Sequence, residues 1–211
     1  MSKPYPISIC WLRRDLRLHD HAALFHALKD STAVHCVFVF DTDILDELAN
    51  KADRRVEFIW RSVQELHAEL EKLGSTLHVL HGSAQQLIPQ LARQLKASAV
   101  YCNHDVEPDA IERDANVAHQ LDESGIAFRD FKDQAIFERD EVLNGSGKPF
   151  AVFTPYKNAW LKKLNEFYLR AYPTERYFST LAQCPPAPLL GLEKLGFKLT
   201  NLSQLALPCG M

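Results

Sequence analysis

Several signatures are missing from the sequence, and each absence removes a class of function. There is no G-x-G-x-x-G and no G-x-x-x-x-G-K-S/T, so no glycine-rich turn offers backbone amides to a phosphate chain. No C-x-x-C occurs and the five cysteines are odd in number, which reads as reduced thiols rather than a disulfide framework or a zinc ribbon. No hydrophobic run approaches the roughly 18 residues of a membrane helix. The first residues, Met-Ser-Lys-Pro-Tyr-Pro, carry no signal-peptide core, and a cytoplasmic location is the expectation. Excess positive charge is missing too: 24 Lys and Arg stand against 27 Asp and Glu, a net charge of -3. Non-specific grip on nucleic acid needs clustered cations, so this chain is a poor candidate for a DNA-gripping surface. No metal-ligand or nucleophile motif is present, and no catalytic or metal residue is assigned.

What is there is the composition of an ordinary globular protein, 46% apolar and 24% charged over 211 residues. Ile7 to Leu12 is an apolar, strand-length run that breaks into Arg13-Arg14-Asp15-Leu16-Arg17-Leu18-His19-Asp20 before a helix expected to begin at His21 with Asp20 as its N-cap. Val34 to Phe40 reads as a strand buried on both faces. A helix over Asp53–Leu73 follows, with Val56, Ile59, Trp60, Val63, Leu66, Leu70 and Leu73 as its buried stripe and Gly74 as its stop. Thr76–His81, Ala99–Cys102 and Ile126–Phe131 read as strands, with helices over Ala84–Leu95 and Ala110–Leu121. This alternation predicts an α/β, doubly wound, five-stranded parallel sheet of Rossmann-like type. The expected strand order is 3-2-1-4-5, which puts a ligand crevice at the carboxyl ends of strands one and four. Cys10, Cys36 and Cys102 fall in strand runs and read as core; Cys184 and Cys209 fall in a proline-rich tail.

Three segments are expected: the α/β domain over 1–133; a hairpin or looped arm with a C-terminal helix packing on the same domain over 134–172; and the start of an interdomain linker over 173–211. In the second, Asn144-Gly145-Ser146-Gly147 marks a tight turn and Thr154-Pro155 the cap and first residue of a helix reaching about Tyr168. The irregular tail reads as a linker, and the chain as a fragment. His78 and His81, and His19 with His21, have no cysteine or carboxylate at ligand spacing and read as scattered histidines. Lys162 and Lys163 read as a solvated helix face, and Trp11, Trp60 and Trp160 as core anchors.

Two long motifs carry a more specific signal. Trp11-Leu12-Arg13-Arg14-Asp15-Leu16-Arg17, followed by His19-Asp20, resembles the N-terminal signature of the DNA photolyase and cryptochrome family. Val152-Phe153-Thr154-Pro155-Tyr156-Lys157-Asn158-Ala159-Trp160 resembles the segment that ends the α/β domain of bacterial cyclobutane-dimer photolyases. The resemblance implies a parent enzyme, a deoxyribodipyrimidine photo-lyase (a carbon–carbon lyase), that repairs pyrimidine dimers in DNA by electron transfer from FAD. It places the FAD and the dimer site in a following helical domain, in cis, so that the present chain alone is expected to be inactive.

What the resemblance implies for this chain is an antenna-chromophore domain, with deazaflavin, FMN or methenyltetrahydrofolate as the chromophore. For the deazaflavin or flavin type, the matching positions are Arg13, Phe40, Asp41, Ile44, Leu45, Arg55, Asp105 and Glu107. The folate type uses an Asn-Glu pair where this sequence has Asp109 and Ala110, so the identity of the chromophore stays open. Arg14, Asp15 and Arg17 are expected to lock the turn or face the helical domain. The alternatives are a cryptochrome-type photoreceptor domain, and a stand-alone nucleotide- or chromophore-binding α/β module.

Overall fold

The structure is a computed structural model that describes residues 3–205 and Leu207. Five strands, β1 (Tyr5–Leu12), β2 (Ser31–Asp41), β3 (Leu77–Gly82), β4 (Ala99–Asn103) and β5 (Ala127–Phe131), form one parallel sheet of order 3-2-1-4-5. The helices are α1 (Ala22–Asp30), the single turn α2 (Thr42–Leu45), α3 (Arg54–Lys72), α4 (Ala84–Gln94), α5 (Pro108–Asp122) and α6 (Phe153–Lys163). The predicted fold class and strand order are those observed. Central β1 is in register with both neighbours, Cys10 lying opposite Cys36 and Tyr101.

The period-two alternation of strands divides the core into two layers. Cys10, Leu12, Cys36, Phe38, Phe40 and Tyr101 face one way, against Leu24 and Leu28 of α1 and Val63, Leu66 and Leu70 of α3. Ile9, Trp11, Val37, Val39, Val100 and Cys102 face the other, against Ile88 of α4 and Val117 and Leu121 of α5. The three strand cysteines are free and fully buried, as expected. Cys209, and with it the end of the tail from Pro208 to Met211, lies outside the described residues.

Several local expectations differ from the structure. Helix α1 is capped by His21, whose Nδ1 accepts the Leu24 N–H, while Asp20 turns the chain at φ 46. Ile59 is 37% exposed because it sits beside the buried stripe of α3, not in it. The arm contains the Asn144–Gly147 turn, with Gly147 at φ 73, but no strand is assigned on either side of it. Helix α6 starts one residue before Thr154, is N-capped by Val152, and ends at Lys163, well short of Tyr168. It buries none of its residues; Trp160 is half-buried, edge-on to Phe137. Lys163 is not freely solvated: it donates to the Glu141 carbonyl and lies 5.0 Å above the Phe137 ring.

The tail is irregular, as expected, yet it is anchored. Beyond a 3-10 stretch at Thr174–Thr180, Leu181 bridges to Val34 and the Ala182 N–H donates to the Val34 carbonyl, pairing with the first half of β2 where β3 does not reach. Leu181, Leu192, Leu195 and Phe197 then join the α1/α3 layer. Their spacing has no helical or strand period, so each acts as an isolated plug.

Candidate functional site at the carboxyl ends of the strands

The charged turn after β1 is largely consumed by its own helix. The first N–H groups of a helix need acceptors and attract anions. Here those of α1 are met from inside the protein: Ala22 N–H donates to Asp133 Oδ1 (3.0 Å), Ala23 N–H to Asn103 Oδ1 (2.9 Å) and Leu24 N–H to His21. Buried Asp15 completes the knot. It accepts from the Arg13 N–H (2.7 Å) and from Asn103 Nδ2 (2.7 Å), and lies 2.9 Å from His21 Nε2. Burial alone would push its carboxyl up, but the His21 and Arg13 interactions hold it well below the usual carboxylate range. Arg17 closes the other side on Asp133 at 2.6 Å. The end of α1 where a dinucleotide phosphate would sit in a glycine-rich fold is therefore plugged by side chains.

A second cluster lies on the α4/α5 face. The Arg13 guanidinium is buried; it pairs with Asp114 of α5 at 2.6 Å, donates to the Asn103 carbonyl, and lies 4.8 Å above the ring of Trp11. Arg113 lies 5.0 Å from the same ring and also bonds Asp114, at 2.9 Å. Two cations thus share one indole and one carboxylate, so the patch keeps positive character in a poorly solvated place. Asp41, at the end of β2, points to the same face. Its Oδ1 accepts from the N–H groups of Asp43 and Ala84, both at 3.2 Å, while its buried Oδ2 has no hydrogen-bond partner. Burial raises the Asp41 pKa, against the pull of those N–H groups and of nearby Arg113.

The eight positions singled out in the sequence are therefore brought together only in part. Arg13 and Asp41 reach one cluster through Trp11, Arg113 and Asp114. Asp105 and Glu107 join a neighbouring one through Arg14, which lies 3.3 Å from Asp105 and bonds Glu107; Asp105 also accepts the Val106 N–H. Phe40 and Leu45 are buried on the opposite, α1/α3, face. Ile44 is exposed, and Arg55, 74% exposed, is turned back on its own N-cap residue Asp53. Trp11, Asn103, Arg113 and Asp114 were not singled out as site residues. Arg113 and Asp114 read as polar positions on a helix, and only the strand order that sets α5 beside β1 could have marked them.

Two cavities lie elsewhere. One of about 530 Å3 is lined by Arg17, Phe25, Asp133, Phe167, Tyr168 and Tyr172; another of about 360 Å3 by Leu16, Arg17, His19, Ser62, Glu65 and Glu69. None of the eight positions lines either. His19, read as unpartnered, sits between Glu175 (2.6 Å) and Glu69 (3.1 Å).

Comparison with known proteins places this geometry in context. Residues 8–176 match the family model described as DNA photolyase. The chain is 41% identical over 150 residues to a deoxyribodipyrimidine photo-lyase of Synechococcus, covering 71% of this chain and 31% of the relative. A bacterial class III photolyase from Agrobacterium tumefaciens superposes with a TM-score of 0.75 at 26% identity, over 92% of this chain and 38% of that one. An archaeal photolyase from Sulfolobus tokodaii superposes with a TM-score of 0.66 at 31% identity, over 75% and 35%. Its structure is described as holding two FAD molecules, with the implication of a novel light-harvesting cofactor. The chain thus spans about a third of the length of these relatives.

Proposed function

The chain belongs to the DNA photolyase family, and from that premise we propose that it is the antenna domain of a light-driven deoxyribodipyrimidine photolyase. In this reading it holds a light-absorbing chromophore and passes excitation to an FAD in a helical domain in cis. That domain would carry the electron transfer to pyrimidine dimers in DNA. The net charge of -3 agrees with a DNA surface placed outside this chain.

The observation that carries the antenna assignment is the unpartnered, buried Asp41 Oδ2 beside Arg113. An orphaned buried acceptor costs about 1–3 kcal/mol and calls for a partner. A flavin or deazaflavin fits: its planar ring carries an imide N–H for Asp41, and its carbonyl oxygens suit the Arg113 and Arg13 guanidinium groups. A bound chromophore of this kind supplies absorption of near-ultraviolet or blue light. The residues of the chain bind it, orient it and keep water away. Ile44 and the exposed Arg14–Glu107 pair form the rim; a surface pair of this type is worth at most about 1 kcal/mol and yields easily to an entering ring. Phe40 and Leu45 are the packed support beneath Asp41, whereas Arg55, turned back on Asp53, stands outside the site. Of the three chromophores, FMN and deazaflavin are favoured over methenyltetrahydrofolate, since Asp109 and Ala110 stand where the folate pair would be.

The test is a titration of the purified chain with FMN, followed by flavin fluorescence, with deazaflavin and methenyltetrahydrofolate in parallel by absorption. One flavin-type chromophore should bind per chain, and Asp41→Ala and Arg113→Ala should each weaken it tenfold or more, about 1.4 kcal/mol. Failure of both flavin types to bind, or unchanged affinity in both variants, overturns the assignment.

A further inference from the structure

At the opposite end of the sheet, towards the amino ends of β2 and β3, three potential metal ligands converge that no sequence motif connects. His35 lies on β2 and His78 on β3, the edge strand; Cys184 arrives from the tail, more than a hundred residues later. His35 Nδ1 is 3.0 Å from His78 Nε2, and Cys184 Sγ is 3.8 Å from His35 Nδ1. The three donor atoms all lie within 4.8 Å of one another. From these we infer that His35, His78 and Cys184 form a binding site for a divalent zinc ion that pins the tail to the edge of the sheet.

The geometry is that of a zinc site before the ion enters. Tetrahedral coordination with ordinary Zn–N and Zn–S lengths separates two nitrogens by about 3.4 Å and a nitrogen from a sulfur by about 3.6 Å. The His35–His78 and His35–Cys184 separations fall within half an ångström of these, and the third pair lies within 4.8 Å, so side-chain adjustment is enough. All three residues are half-buried, which leaves a path for the ion and room for a water as fourth ligand. The donor set, two imidazoles and one thiol, suits a borderline-soft ion and not calcium or magnesium. The backbone holds the ligands independently of any ion. His35 and His78 are fixed by the β2–β3 ladder, in which Cys36 pairs with Leu77 and Val37 with His78. Cys184 is fixed by the Ala182 N–H bond to Val34 and by its own N–H, which donates to the Gly74 carbonyl.

The alternative is a plain imidazole pair packed against a thiol. Among the described residues, no hydrogen bond or ion pair of His35, His78 or Cys184 involves a carboxylate, so the cluster gains nothing from charge there. Burial keeps both rings neutral, pressing His35 to about 4 with help from His78, and neutral rings can offer lone pairs. On binding, the ring that donates in the His35–His78 hydrogen bond moves its proton to its other nitrogen. The Cys184 thiol releases its proton to water, forming the Zn–S bond with no change of oxidation state. In the structure His78 has a histidine and a cysteine at ligand distance, partners that its sequence spacing does not reveal.

The experiment uses the full chain, stripped with a chelator and reduced. Cobalt(II) is titrated first, because a thiolate ligand to cobalt gives a near-ultraviolet charge-transfer band; zinc is then added to displace it. One equivalent of cobalt should give the band and one equivalent of zinc should abolish it. Cys184→Ser should lose the band while keeping its far-ultraviolet circular dichroism, and His78→Gln should weaken cobalt binding more than tenfold. Zinc should raise the melting temperature of the wild type and leave that of Cys184→Ser unchanged. Cys209→Ser, which removes the other tail thiol, should retain the band. No band in the wild type, a band that survives Cys184→Ser, or one that disappears in Cys209→Ser overturns the site.

Discussion

Asp15 shows how a residue can be essential to a turn without touching a ligand. It links the Arg13 backbone, the Asn103 amide and the His21 cap, and through them the first turn of α1. Its folded pKa lies below its ordinary value, so the stability it contributes is present above the unfolded pKa of about 4 and is lost as pH falls below that. Asp15→Ala should cost about 3 kcal/mol in urea unfolding at neutral pH, since it leaves the His21 and Asn103 donors buried and unpaired. The variant should also show a shallower loss of stability on acidification below about pH 4 than the wild type. An unchanged midpoint together with an unchanged acid slope would show that the network is dispensable. The density of charge in this turn was plain in the sequence. Its purpose was not, because Asn103 ends β4 and Asp133 lies two residues beyond β5, and neither carries a mark of its destination.

Among the elements, those whose pattern is local were legible, and those held by distant partners were not. The five strands and the helices between them follow from apolar runs and from stops such as Gly74 and Gly125, which lie at φ 77 and 67. Helix α6 was overextended because Tyr156–Tyr168 is helix-compatible residue by residue, yet no layer receives it. The tail was read as loose for the converse reason: Leu181, Leu192, Leu195 and Phe197 show no period but each fills a gap in the α1/α3 layer. The tail is also stitched by polar groups: Glu57 Oε2 accepts from the Thr200 N–H (2.6 Å) and hydroxyl (2.5 Å), and Trp60 donates to the Leu190 carbonyl (2.9 Å). Phe197→Ala, which empties a site only 2% exposed, should therefore cost about 3–4 kcal/mol. Equilibrium denaturation should show a single transition shifted to lower denaturant. A loss below 1 kcal/mol would mean the tail does not belong to the cooperative unit.

Across the whole molecule, apolar surface is distributed unevenly. Val152, Phe153 and Leu161 on or beside α6 are exposed, as are Phe167 and Leu169 just after it, with Phe153 and Phe167 at 73% and 74%. Large side chains grouped in this way mark an interaction face, and the helical domain in cis is the occupant the proposed function assigns to it. The polypeptide of residues 1–211 should self-associate as its concentration rises. Sedimentation velocity should show this, and Phe153→Ser with Phe167→Ser should reduce it without lowering the melting temperature. Monomeric behaviour at every concentration would remove the support for this face. At this scale the family and the fold class were readable from two motifs and a rhythm of elements. The clusters around Trp11 and around Cys184 were not, because each is assembled by topology from residues far apart in the chain.

The tail also sets the order of events during synthesis. Its bonds reach far back along the chain: Thr200 to Glu57 spans 143 residues and Leu190 to Trp60 spans 130. Loops of that size close late and slow the final step of folding. The strands and α3 therefore leave the ribosome with one apolar layer still open. That layer stays a site for misassociation until Leu181, Leu192, Leu195 and Phe197 arrive to cover it.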